Sequence, residues 1–124
     1  MKRILIVDDD PMVRQLVRMT LAEQYDCVEA PDGETALDML GTVHPDAIVL
    51  DWVLPGLSGL SVFKRLKRYQ EYKDIPVIIM SARGEEQTRA AAQEVGTAGY
   101  LAKPFDVNEL RSTLAQALET TPAE

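Results

Sequence analysis

Five short apolar runs alternate with five segments of helical periodicity, which predicts an α/β chain with one doubly wound, five-stranded parallel sheet and helices on both faces. The three strongest runs are Ile4-Leu5-Ile6-Val7, Ala47-Ile48-Val49-Leu50 and Val77-Ile78-Ile79-Met80. They are apolar at every position, as strands buried on both faces are. Each run leads into a helical pattern, an order that calls for right-handed crossovers between parallel neighbours.

The first strand stops at Asp8-Asp9-Asp10. Asp10 is a good N-cap and Pro11 suits the first helical position. Val13, Leu16, Val17 and Leu21 are predicted to share the inner face of that helix. Cys27-Val28-Glu29-Ala30 forms a weaker second strand. Asp32-Gly33 opens a second helix with Ala36, Leu37 and Leu40 inward and Gly41 as its predicted stop. A third helix starts near Leu60, burying Val62, Phe63 and Leu66 and leaving Lys64, Arg65, Lys67 and Arg68 in solvent. A fourth, alanine-rich, runs from about Glu85 to Val95 and ends at Gly96. Tyr100-Leu101-Ala102 is the fifth strand. Asp106-Val107-Asn108-Glu109 then reads as a capping box, with Leu110, Leu114, Ala117 and Leu118 repeating at helical spacing. The expected domain is residues 1–119, with 120–124 a frayed tail or the start of a linker.

Composition narrows the function. A chain of 124 residues, 46% hydrophobic and 27% charged, is one ordinary soluble domain. Thirteen basic against twenty acidic side chains give a net charge of −7, which argues against direct binding of nucleic acid through its phosphates. No apolar run is long enough to span a membrane, and the first one is cut short by Asp8 before it reaches signal-peptide length. The single cysteine, Cys27, has no partner for an internal disulfide, fits a reducing cytoplasm, and reads as a small buried hydrophobe.

In a parallel α/β sheet, ligands bind at the carboxyl ends of the strands. Those ends carry Asp8, Asp9 and Asp10 after the first strand, Asp51 after the third, Ser81 after the fourth, and Lys103 followed by Pro104 after the fifth. Taken singly these are bland: a turn and helix cap, a strand end, two surface polar residues. Tyr100 alone reads as core, and His44, placed before Pro45, as a loop residue poorly suited to phosphotransfer. The Lys64–Arg68 cluster reads as a solvated helix face, or as a patch that steers an acidic partner. Placed together, the strand-end residues make one pocket. Crowded carboxylates repel one another unless a cation intervenes, and a hard divalent ion such as Mg²⁺ matches oxygen donors. Lysine supplies a point charge for an anion and serine a hydroxyl donor. This set describes a phosphoryl site, in which an aspartate itself can be the nucleophile. Asp51 stands alone ahead of the loop Trp52-Val53-Leu54-Pro55-Gly56. Asp8 and Asp9 are adjacent and point opposite ways, so one is expected to reach the metal directly and the other through water.

The segments Ile4–Asp10, Ile48–Gly59, Pro76–Ala82 and Gly99–Phe105, in this order and spacing, resemble those of response-regulator receiver domains of two-component signalling, of the single-domain chemotaxis type. The resemblance covers roughly residues 3 to 119. It implies a flavodoxin-like (βα)5 sheet of strand order 2-1-3-4-5 and a cytoplasmic phosphoprotein. Asp51 is then the phospho-acceptor, taking its phosphoryl group from a sensor histidine kinase or phosphotransfer protein. Asp9, Asp51 and the backbone carbonyl of Val53 bind Mg²⁺, with Asp8 acting through water. Ser81 and Lys103 hold the phosphoryl oxygens, helped by backbone N–H groups near Trp52 and Ala82, and the Lys103–Pro104 peptide is cis. Ser81 and Tyr100 act as the switch, reshaping the surface of helix four, strand five and helix five for a downstream protein partner. Val53 and Arg83 occupy the positions that set how fast the phosphoryl group is lost, and predict slow loss. The implied protein is not an enzyme in the ordinary sense, and is a monomer or a phosphorylation-dependent dimer; with no room for a DNA-binding domain, a protein contact is its expected output. Three alternatives compete. One is a receiver-like interaction module that works without phosphorylation. Another is a Mg²⁺-dependent aspartyl phosphohydrolase, which Val53 disfavours because such enzymes place a second acid there. The last is a flavin-nucleotide binder, disfavoured because Asp8-Asp9-Asp10 repels its phosphate.

Overall fold

Each apolar run forms a strand, and each strand leads into a helix. The computed structural model describes residues 1–82 and 86–120. In chain order the elements are β1 (Arg3–Val7), α1 (Pro11–Leu21), β2 (Asp26–Ala30), α2 (Gly33–Val43), β3 (Ala47–Asp51), α3 (Gly59–Leu66), β4 (Val77–Ala82), α4 (Glu86–Val95), β5 (Gly99–Lys103) and α5 (Val107–Thr120). The strands form one sheet in the order β2-β1-β3-β4-β5, with every neighbouring pair parallel. Both the parallel sheet and its order match the expectation.

Alternation along the strands builds two cores. Leu5, Val7, Ile48, Leu50, Val77 and Ile79 pack with residues of α2, α3 and α4 such as Leu40, Phe63 and Ala92. Ile4, Ile6, Val49, Ile78, Met80 and Leu101 pack on the other face with Val17, Leu21, Leu110 and Leu114 of α1 and α5. Every side chain from Ile4 to Val7 is fully buried, which is why these runs carry no polar residue until the sheet edge.

Asp10, Asp32 and Asp106 cap their helices as the sequence predicts, Asp106 through the Asn108 N–H and not the Glu109 N–H of a capping box, and Ser58 adds a cap not predicted from the sequence. Asp10 accepts from the Met12 N–H at 2.9 Å, Asp32 from Thr35 at 2.7 Å, Ser58 from Ser61 at 3.2 Å and Asp106 from Asn108 at 2.7 Å. These bonds satisfy helix-start donors that have no partner within the helix. The bond from the Thr35 N–H also holds the Asp32 carboxyl below its usual range. Gly96 follows α4 with φ +88°, a left-handed conformation that glycine adopts without steric cost.

Two details differ from expectation. Leu16 is 46% exposed and does not join the core. The inner stripe of α1 runs through Val13, Val17 and Leu21, while Leu16 falls with Met12 and Met19 on a face that the described residues leave open. Gly41 does not stop α2. The helix continues far enough to bury Val43, with Gly41 facing the Tyr72 hydroxyl, and it ends at His44 in the left-handed region (φ 50°, ψ 62°). The His44 N–H closes the helix on the Leu40 carbonyl at 3.0 Å. A residue with a Cβ is strained there, so His44→Gly is expected to raise stability by about 1 kcal/mol. A urea titration checks this; an unchanged midpoint counts against it.

Cys27 is half-buried on β2, less enclosed than expected, and burial followed by the nearby Asp26 charge pushes its thiol up. Arg83 and residues 121–124 lie outside the described residues.

Candidate functional site

The carboxyl edge of the sheet is built by the ends of β1, β3, β4 and β5. β1 and β3 are neighbours, so Asp8 and Asp51 leave the sheet side by side. The register opposes Asp51 to Met80 and Ala82 to Lys103, which sets the ends of β4 and β5 at the same edge. Alternation carries Asp8, Asp51 and Lys103 on the strand positions that face α1 and α5. The fold thus brings together groups 95 residues apart.

Lys103 Nζ lies between two carboxylates, donating to Asp8 Oδ2 at 2.7 Å and to Asp51 Oδ2 at 3.2 Å. Asp8 is fully buried and Asp51 is 5% exposed. Asp51 Oδ1 accepts from the Val53 N–H at 3.1 Å, and Asp8 Oδ1 accepts from the Asp10 N–H at 2.9 Å. Asp9 is exposed, yet one oxygen from each of Asp8, Asp9 and Asp51 falls within a group no wider than 4.8 Å. Ser81 is fully buried at the end of β4. Tyr100 is half-buried on β5 beside Ile79, and Val53 is 63% exposed. The Lys103–Pro104 peptide is cis.

The electrostatics follow from this crowding. Burial, then the Asp8 charge, raises the Asp51 carboxyl above its ordinary range, against the opposing pull of Lys103. Burial disfavours charge on Lys103, but its bond to Asp8 and the Asp51 charge outweigh that, and its ammonium is held above its usual range. Three carboxylates facing one ammonium leave an excess of negative charge. A hard divalent cation fits such a donor set of carboxylate oxygens.

Two residues at the site carry no strand-end signature. Arg14 Nη1 donates to the Asp8 carbonyl at 2.7 Å, and Arg14 Nε pairs with Glu29 Oε1 at 3.0 Å. The available signal was spacing: Arg14 sits three and seven residues before Val17 and Leu21, on the buried face of α1.

A sequence profile of the response regulator receiver domain matches residues 4–115. The chain belongs to this family. As a receiver domain of response regulators it is consistent with a phospho-acceptor role. It is 40% identical to the phosphate regulon transcriptional regulatory protein PhoB of Pseudomonas aeruginosa, over 97% of this chain and 53% of that protein. It therefore spans about half the length of the curated relatives it matches. The chemotaxis protein CheY4 of Vibrio cholerae superposes with a TM-score of 0.87 at 30% identity, covering 94% of this chain and 98% of that one. The receiver domain of NtrX from Brucella abortus gives 0.88 at 32% identity, again covering 94% and 98%. Among the described residues of this receiver domain, no helix is long and apolar enough to cross a membrane.

Proposed function

We propose that this receiver domain takes a phosphoryl group onto Asp51 from a phosphohistidine of a sensor kinase or phosphotransfer protein, with Mg²⁺ at the acidic edge. The observation that carries the reading is the Lys103 ammonium held between buried Asp8 and Asp51, with Asp9 beside them. Asp9, Asp51 and the Val53 carbonyl would hold the cation, with Asp8 acting through water. When bound, Mg²⁺ offsets the repulsion between the carboxylates and the incoming phosphoryl oxygens.

An Asp51 carboxylate oxygen forms a bond to phosphorus. The bond from phosphorus to the donor nitrogen breaks, and its electron pair leaves with the imidazole. The product is an acyl phosphate. Lys103 then exchanges one carboxylate contact for a phosphoryl oxygen, which a flexible point charge does readily. The Ser81 hydroxyl donates to another oxygen. Movement of Ser81 draws Tyr100 inward, and the phosphate shifts the population between two arrangements of the α4-β5-α5 surface. The output is contact with a protein partner, and the net charge of −7 gives this domain no footprint for nucleic acid. The protein acts in the cytoplasm as a switch that assists its own modification, and it works as a monomer or a phosphorylation-dependent dimer.

Trp52, the sole tryptophan, adjoins Asp51 and reports the site. Its fluorescence is expected to change on titration with Mg²⁺ and again on adding acetyl phosphate. The mass then rises by one phosphoryl group. Val53 and Arg83 are poorly suited to aim a hydrolytic water, so the label is expected to outlast a chase of seconds. No mass gain in Mg²⁺ with acetyl phosphate overturns the proposal.

A further inference from the structure

We infer that Arg14, oriented by Glu29, is a positioning residue for the cation-binding turn, acting through the Asp8–Asp9 peptide and without touching the cation. The inference rests on the Mg²⁺ reading above.

Asp8 is pinned at all four of its polar points. Its N–H donates to the Ala30 carbonyl at 3.3 Å, extending the pairing of β1 with β2 by one residue. Its two carboxylate oxygens accept from Asp10 N–H and Lys103. Its carbonyl accepts from Arg14 Nη1 at 2.7 Å. The Asp8 carbonyl and the Asp9 N–H belong to one planar peptide unit, so the bond that aims the carbonyl also fixes that plane. The plane fixes where Asp9 N and Cα lie, and so the point from which the Asp9 carboxylate leaves the chain. Asp9 is the exposed member of the acidic group.

Arg14 suits this task because it is itself held. Its side chain is 16% exposed, and Nε is bound by Glu29 Oε1 while Arg18 Nη1 binds Glu29 Oε2 at 3.1 Å. Glu29 lies on β2, so the guanidinium is braced against the sheet and not merely against its own helix. Glu29 also balances the Arg14 charge, which would otherwise compete with a cation at the neighbouring carboxylates. The planar fork of arginine serves both partners at once, and lysine cannot.

The experiment is a Mg²⁺ titration read by Trp52 fluorescence on the folded protein, alongside melting curves without metal. Arg14→Met is expected to weaken Mg²⁺ affinity about tenfold. Arg14→Lys recovers part of the loss. Glu29→Gln weakens affinity by about threefold in the parent, and has no further effect in the Arg14→Met background, because it acts through Arg14. Should Arg14→Met be unfolded by circular dichroism, Arg14→Lys decides the question in the same way. A variant that melts lower but binds Mg²⁺ as the parent does overturns the inference. A parent protein indifferent to Mg²⁺ overturns the cation reading, and this inference with it.

Discussion

Asp51→Asn is expected to end phosphoryl uptake while making the metal-free protein more stable. The first effect is the loss of the proposed nucleophile: an amide does not form the acyl phosphate, so the mass gain with acetyl phosphate is expected to disappear. The second comes from the crowded edge. Burial and the Asp8 charge raise the Asp51 carboxyl, so the folded state holds its proton more tightly than the unfolded state does. Stability from such a group is fully present below the unfolded value of 3.8 and is lost as pH rises through the folded value. At neutral pH the parent therefore bears a destabilising charge that asparagine removes, while the amide oxygen still accepts from Lys103. The gain is expected to be on the order of 1 kcal/mol. Melting curves from pH 3 to pH 7 are to be compared, those limits being set at roughly the carboxylate range and neutrality. The advantage of Asp51→Asn should widen as pH rises. A variant that melts lower than the parent at neutral pH refutes the electrostatic account, and uptake persisting in the variant refutes the site assignment.

Gly59→Ala is expected to do the largest damage of any single methyl group near the site. A Cβ on Gly59 overlaps the Asp51 carbonyl oxygen and comes within 2.7 Å of the Trp52 Cα. Both are backbone atoms, so neither can rotate aside. The Gly59 N–H also donates to the Trp52 carbonyl at 3.0 Å, tying the start of α3 to the strand end that carries Asp51. Forcing this contact apart should cost about 2–3 kcal/mol and displace Asp51 from Lys103. Urea unfolding measures the first effect and the Trp52 response to Mg²⁺ the second. Gly99→Ala is the control: its tightest neighbour is the Thr113 methyl, the end of a side chain, which can yield. Equal losses in the two variants would remove the backbone argument.

The sheet was legible because its strands carry an unambiguous pattern. A run such as Ile4–Val7 has no polar position to offer water, and only a strand covered on both faces hides all four residues. The acidic edge was legible for a related reason, since each strand ends where its first polar residue leaves the core. Leu16 was misplaced because helical spacing tells which residues share a face, and not how far a neighbouring element covers it. Gly41 was misread because a helix stops where burial and capping end it, and Val43 still had a core to reach. Arg14 was overlooked because spacing places it on the inner face of α1 without showing its partners there, the Asp8 carbonyl of the preceding turn and Glu29 on β2.

The balancing ammonium of the acidic edge arrives last. Lys103 closes the fifth strand, whereas Asp8, Asp9 and Asp51 all belong to the first half of the polypeptide. A partly synthesised or truncated chain that ends before that strand has its acids but lacks the ammonium that pairs with Asp8 and Asp51. Charge balance at the acidic edge is thereby coupled to placement of the fifth strand.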